Sequence, residues 1–127
     1  MPIVDHNALP ETPWRPNYRN WDITQPGDGT TSSSLSYSVV GVGAGAPLHK
    51  HNADEYITIL EGTLEVRAGD ETHRVEADHT LVIPPGTPHG FTNVGPGDAR
   101  ILVFFPVSDP FAHTTYFEGA PPEVHRS

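Results

Sequence analysis

The chain of 127 residues contains no cysteine. That excludes disulfides and thiolate metal sites, so any bound ion must be held by nitrogen and oxygen. Basic residues are also scarce. Seven Lys and Arg stand against 16 Asp and Glu, a formal net charge of -9. A nucleic-acid partner, which needs a basic face, is therefore not expected, and an anionic membrane surface is disfavoured. No apolar run approaches the ~20 residues that span a bilayer. The opening MPIVDHNALPETPW has neither the basic nor the apolar region of a secretory signal, so a cytoplasmic protein is expected. Sustained helical periods are missing too, because 14 Pro and 12 Gly punctuate the chain with turns. The length fits a single domain with one hydrophobic core.

What is present divides into two parts. Residues 1–34 are rich in proline, glycine and polar residues and read as an extended N-terminal arm ending in the loop QPGDGTTSSS. Trp14, Tyr18 and Trp21 would pin that arm to the body of the same chain or to a second subunit. From Leu35 onward the segments LSYSVVGV, YITIL, TLEVRA, THRVEA, TLVIP and RILVFFP alternate with turn signals. Short strands at this spacing predict an all-β sandwich or barrel over residues 35–127, with a short tail that has room for one helical turn.

The chemistry concentrates in GAGAPLHKHNADEYITILEG, residues 43–62. His49 and His51 are two apart, so in a strand they share a face. If the chain stays extended, Glu55 joins them, followed by the apolar Ile57 and Ile59. Tyr56, Thr58 and Leu60 would then point outward, against another sheet. A further histidine, His89, follows the Pro-Gly turn of PPGTPHGFTN and would share a face with Phe91. Neutral imidazoles and one carboxylate suit Fe(II), Mn(II), Ni(II), Co(II), Cu(II) or Zn(II), and four protein ligands leave one or two positions open. Glu55 has a second possible role. A carboxylate beside an apolar wall is expected to have a raised pKa and to act as a catalytic base. His6, His73, His79, His113 and His125 fit no such cluster and are expected at the surface. Glu65 and Arg67 alternate with Leu64 and Val66, which places the charges outside. Phe91, Phe104 and Phe105 are expected in the core or the wall of a pocket.

The two stretches closely resemble the paired motifs of the cupin superfamily. Gly43, His49, His51, Glu55 and Gly62 meet the first motif, and Pro84, Gly86, His89 and Asn93 meet the second. Asp78 stands where the second motif begins with glycine. The resemblance implies a six- to eight-stranded jelly-roll barrel (a double-stranded β-helix). One divalent transition metal per chain would be held by His49, His51, Glu55 and His89, most readily Fe, Mn or Ni, with Zn, Co or Cu also acceptable. It also implies a homodimer and a small-molecule substrate. Similarity to the quercetin-dioxygenase-like cupins suggests oxidoreductase chemistry, the oxygen-dependent cleavage of a metal-chelating enol, diketone or phenol. The same site could serve a redox-neutral isomerase, cyclase, decarboxylase or lyase, or a non-catalytic metal- or ligand-binding protein.

Overall fold

The strand β5 (Glu55–Glu61) shows how the sequence pattern becomes structure. Glu55, Ile57 and Ile59 are buried while Tyr56 and Leu60 are exposed, the period of two that a half-buried strand demands. The computed structural model describes residues 1–125, except the side chain of His113, whose expected surface position therefore lies outside the described residues. It is a jelly-roll of two antiparallel sheets. Eight strands, the upper end of the six to eight that the resemblance implies, make up the barrel: β3 (Ser34–Val40), β4 (Gly45–His51), β5, β6 (Thr63–Ala68), β7 (Glu71–Glu76), β8 (His79–Ile83), β9 (His89–Asn93) and β10 (Ala99–Phe105). Three more join them: β1 (Thr12–Arg15), β2 (Tyr18–Asp22) and β11 (Thr114–Tyr116). The larger sheet runs β1-β2-β3-β10-β5-β8 and the smaller β11-β4-β9-β6-β7. The strand count thus exceeds the six to eight expected.

The extra strands come from segments that read as arm and tail. β2 pairs with β3 in the register Tyr18↔Val40, Asn20↔Ser38 and Asp22↔Ser36. Its alternation was concealed because the inward residues after Tyr18 are polar. Tyr18 is buried with its ring 6.2 Å from that of Phe91, and Trp14 packs edge-on against Phe111 at 5.4 Å. Both aromatics tie the arm to its own barrel. β11 pairs with β4, Thr114 opposite His51 and Tyr116 opposite His49.

Val40, Ile59, Leu64, Ala99 and Ile101 have no exposed surface and close one end of the space between the sheets. Polar residues gather towards the other end. At the turn before β8, Asp78 has φ +68°. Asp is one of the few non-glycine residues that tolerates this left-handed region, which explains its place at a motif glycine. Asn93 ties the next turn by donating to the carbonyls of Val40 and Gly97 and accepting from Gly95 N–H.

The outer face of the larger sheet differs from expectation. Tyr56, Leu60 and Val82 are 39%, 45% and 68% exposed, so within the described residues no further sheet covers them. Phe104 also lies on this face, stacked on Tyr56, whereas Phe91 and Phe105 are buried inside. No helix among the described residues is long and apolar enough to cross a membrane.

Candidate metal centre

His49, His51, Glu55 and His89 converge, as their spacing suggested, but by a different route. The chain does not stay extended. β4 ends at His51, bends through residues 52–54, and restarts as β5 at Glu55 in the opposite sheet. Glu55 therefore faces the histidines across the barrel instead of continuing their row. His49 and His89 stand opposite each other on β4 and β9. The register there shifts from Ala46↔Phe91 to His49↔His89, three residues on β4 against two on β9. This bulge turns Ala46 and His49 to the same inner face despite their odd spacing. Proline at position 47 suits it, having no N–H to lose from the ladder. The opposing residue must be small, because a Cβ on Gly90 would meet the Ala46 carbonyl oxygen at 2.8 Å.

One donor atom from each of the four residues lies within 4.8 Å of the others, and all four side chains are buried. Bonds of ~2.2 Å to a common ion set donors at most ~4.4 Å apart, so the four need draw together only by a few tenths of an ångström to share one. The outward ring nitrogens settle which atoms face inward. Nδ1 of His49 lies 2.6 Å from the Pro47 carbonyl oxygen, and Nδ1 of His89 lies 2.9 Å from that of Thr87. A carbonyl can only accept, so both Nδ1 atoms carry the proton. Nδ1 of His51 meets Thr114 Oγ1 at 2.6 Å, and that hydroxyl donates to the Pro110 carbonyl at 2.8 Å. It must therefore accept from His51. All three imidazoles consequently turn an Nε2 lone pair towards Glu55 when neutral, as metal-bound histidines do. His51 Nε2 is buried without a hydrogen-bond partner. Its 3.4 Å approach to Glu55 Oε1 is only an ionic contact. A buried polar atom left open in this way costs stability unless something binds it, and a cation fits.

Electrostatics agree with a ligand set. Burial pushes the Glu55 carboxyl up, but the close approach of His51 together with the hydrogen bond and charge of His89 outweigh it and hold it at about 2. The raised pKa expected for Glu55 is thus reversed, because its neighbours are imidazoles as well as apolar groups. Burial, reinforced by the charge of His89, lowers His49 to about 4. Burial also disfavours charge on His89, yet its 2.7 Å bond to Glu55 Oε1 lifts its pKa above the usual value.

The cluster opens into a cavity of about 240 Å³ that Ile57, Phe91, Val103 and Phe105 wall on one side. Several lining residues were not singled out from sequence. Tyr116 stacks on His49 at 5.4 Å, and burial pushes its hydroxyl up to about 12. Arg15 lies over the Tyr116 ring and donates to the Ala120 carbonyl at 2.8 Å. The serine alternation of 34–38 was a visible signal for the inner face of β3; nothing local marked Thr114 or Tyr116. His6, His73 and His79 are exposed, as expected. His125 is exposed as well but stacks on Phe111 at the cavity rim. Glu65 and Arg67 are outside the barrel, where Arg67 pairs with Glu118 at 2.7 Å.

A family model described as Cupin domain matches residues 36–105. The chain belongs to the cupin family. Among its curated relatives is polyketide synthase CurC of Streptomyces cyaneus, 35% identical over 75 residues that cover 58% of this cupin and 49% of that protein. The chain spans about half the length of the curated relatives it matches first. The polyketide cyclase RemF of Streptomyces resistomycificus superimposes with a TM-score of 0.80 at 22% identity, over 98% of this cupin and 90% of that chain. A recombinant oxalate oxidase in complex with glycolate superimposes with a TM-score of 0.66 at 25% identity, over 79% of this cupin and 55% of that chain.

Proposed function

We propose that this cupin is a metal-dependent enzyme acting on a small substrate that presents adjacent oxygens, such as an enol, a diketone or a phenol. The observation that carries this reading is the set of three inward Nε2 atoms and one ionised carboxylate at the wall of a partly apolar cavity. A divalent ion held there by His49, His51, Glu55 and His89 would supply Lewis acidity towards substrate oxygens. Thr114, Pro47 and Thr87 hold the imidazoles in the ligating tautomer. Glu55 is ionised across the physiological range, so on loosening from the ion it would accept a proton from an enol or an acidic C–H. Phe91, Phe105 and Ile57 exclude water from one face of the substrate, which strengthens charge interactions inside.

Within that class, redox-neutral ring closure or proton transfer is the reading that the relatives favour. RemF is described as a polyketide cyclase and matches nearly the whole chain, and CurC belongs to polyketide synthesis. Oxygen-dependent cleavage of the same substrates is the second reading, favoured by the likeness to an oxalate oxidase. The deciding experiment incubates protein loaded with Fe, Mn, Ni or Zn with poly-β-carbonyl and catechol substrates, with and without oxygen. Turnover that continues anaerobically and consumes no oxygen supports the first reading. Turnover that stops without oxygen supports the second. Binding without turnover in every case would overturn both.

The uncharged groove between Leu35, Tyr56, Val82, Leu102 and Phe104 on the outer face is proposed to pair with the same face of a second copy. Two chains that each carry a net charge of -9 approach closely only where charge is absent, and exposed aromatic and aliphatic groups gain by being covered there.

A further inference from the structure

The cavity has a second, chemically distinct wall. Strand β10 presents Ile101, Val103 and Phe105 inward, all apolar. Its neighbour β3 and the next strand β2 do the opposite. Asn20 stands across from Ser38 and Asp22 across from Ser36, and all four side chains line the cavity. Asn20 and Ser38 are each only 1% exposed. Apolar residues would close a barrel there with less desolvation, since a buried polar group costs free energy unless it is matched.

The wall is ordered in one direction. Ser38 Oγ donates to Asn20 Oδ1 at 2.8 Å, and Asn20 Nδ2 donates to Asp22 Oδ1 at 3.1 Å. These two bonds run along the wall, and the row ends on a carboxylate. What the wall offers a ligand is therefore acceptor capacity at Asp22, together with the Ser36 hydroxyl beside it. A carboxylate accepts and cannot donate, so its partner must carry O–H or N–H groups.

Resting on the metal-dependent reading above, we infer that β2 and β3 form a specificity wall that selects a flat one- or two-ring substrate. That substrate carries hydroxyl donors on the edge remote from the metal-chelating oxygens. Asp22 receives the distal hydroxyl, Ser36 assists, and Phe91 and Phe105 cover the apolar ring face. The volume of about 240 Å³ sets the size, since a cavity of ~150 Å³ accommodates benzene.

The test compares two chelating probes by calorimetry on metal-loaded protein: 2,3-dihydroxynaphthalene, and 2,3,6,7-tetrahydroxynaphthalene, which adds the distal pair of hydroxyls. Wild-type protein should bind the tetrahydroxy probe about tenfold or more tightly, the gain of a hydrogen bond to a charged acceptor. Asp22→Asn should weaken the tetrahydroxy probe about tenfold more than the dihydroxy probe. Ser36→Ala, a milder change, should lower the same preference by a smaller factor. Metal content and circular dichroism of each variant establish that the centre and fold persist. Equal affinity of wild type for the two probes would overturn the wall while leaving the metal reading intact, as would a preference that neither variant alters. If metal-loaded and metal-free protein bind neither probe, the chelation reading fails and the inference falls with it.

Discussion

Thr114 Oγ1 lies 2.6 Å from His51 Nδ1 and 2.8 Å from the carbonyl oxygen of Pro110. The hydroxyl proton is committed to Pro110, so the hydroxyl is left as an acceptor for His51. Removing it should leave the ring free to flip its tautomer. Thr114→Val is expected to weaken metal binding ten- to hundredfold, about the usual effect of losing such an outer partner, while Thr114→Ser retains most of the affinity. Competition with a chromophoric chelator reads the constants. An unchanged affinity in Thr114→Val would show that the ring is oriented by other means.

His51→Ala removes one of the four donors, and with it the one buried nitrogen among the described residues that lacks a hydrogen-bond partner. Metal content measured by mass spectrometry should fall sharply, with the strand signal in circular dichroism preserved. Glu55→Gln should keep more metal and lose turnover that depends on proton transfer. Full occupancy in His51→Ala would refute the ligand set.

Metal uptake should release protons, with a defined sign. His89 has its pKa raised by Glu55, so near pH 6.5 the metal-free protein carries a proton on His89 that an ion must displace. His49, lowered to about 4, and Glu55, held at about 2, have none to give at that pH. Release should decline as pH rises through the raised value. Titrations in buffers of different ionisation enthalpy measure it, and identical heats near pH 6.5 in all buffers would contradict the assignment.

Asp78 adopts φ +68°, so Asp78→Ala is expected to cost ~1 kcal/mol and lower the melting temperature by a few degrees. Asp78→Gly should leave it level or slightly higher. Two variants with equal melting temperatures would show that the turn does not impose this conformation.

The uncharged outer face predicts a dimer. Val82→Arg and Phe104→Glu should each shift the mass measured by light scattering from two chains towards one, with the metal site intact. A wild-type protein that is already monomeric at micromolar concentration would end the proposal.

The barrel was legible because its strands follow the simplest rule. Ile57 and Ile59, or Leu64 and Val66, alternate with solvent-facing residues and need no further information. The four residues of the candidate metal centre were legible by their spacing and their match to the cupin motifs, although the geometry behind the spacing was not. The bend at residues 52–54 that carries Glu55 to the opposite sheet leaves no period, and the bulge at Pro47 breaks one. β2 escaped notice because Asn20 and Asp22 put polar groups where an inward position normally carries an apolar one. Thr114 and Tyr116 reach the site only by tertiary pairing with β4, and no local pattern encodes that.

Glu55 belongs to the larger sheet, whereas His49, His51 and His89 belong to the smaller. An ion at their centre would thus rivet two layers that are otherwise joined by side-chain packing and a few hydrogen bonds, such as that from Asn93 to the Val40 carbonyl. Binding only to the folded barrel, it would add ~2.7 kcal/mol at a free concentration one hundred times its dissociation constant. A chelator should therefore loosen the whole molecule as well as empty one site, and the melting curve of this protein would serve as a gauge of how much metal it holds.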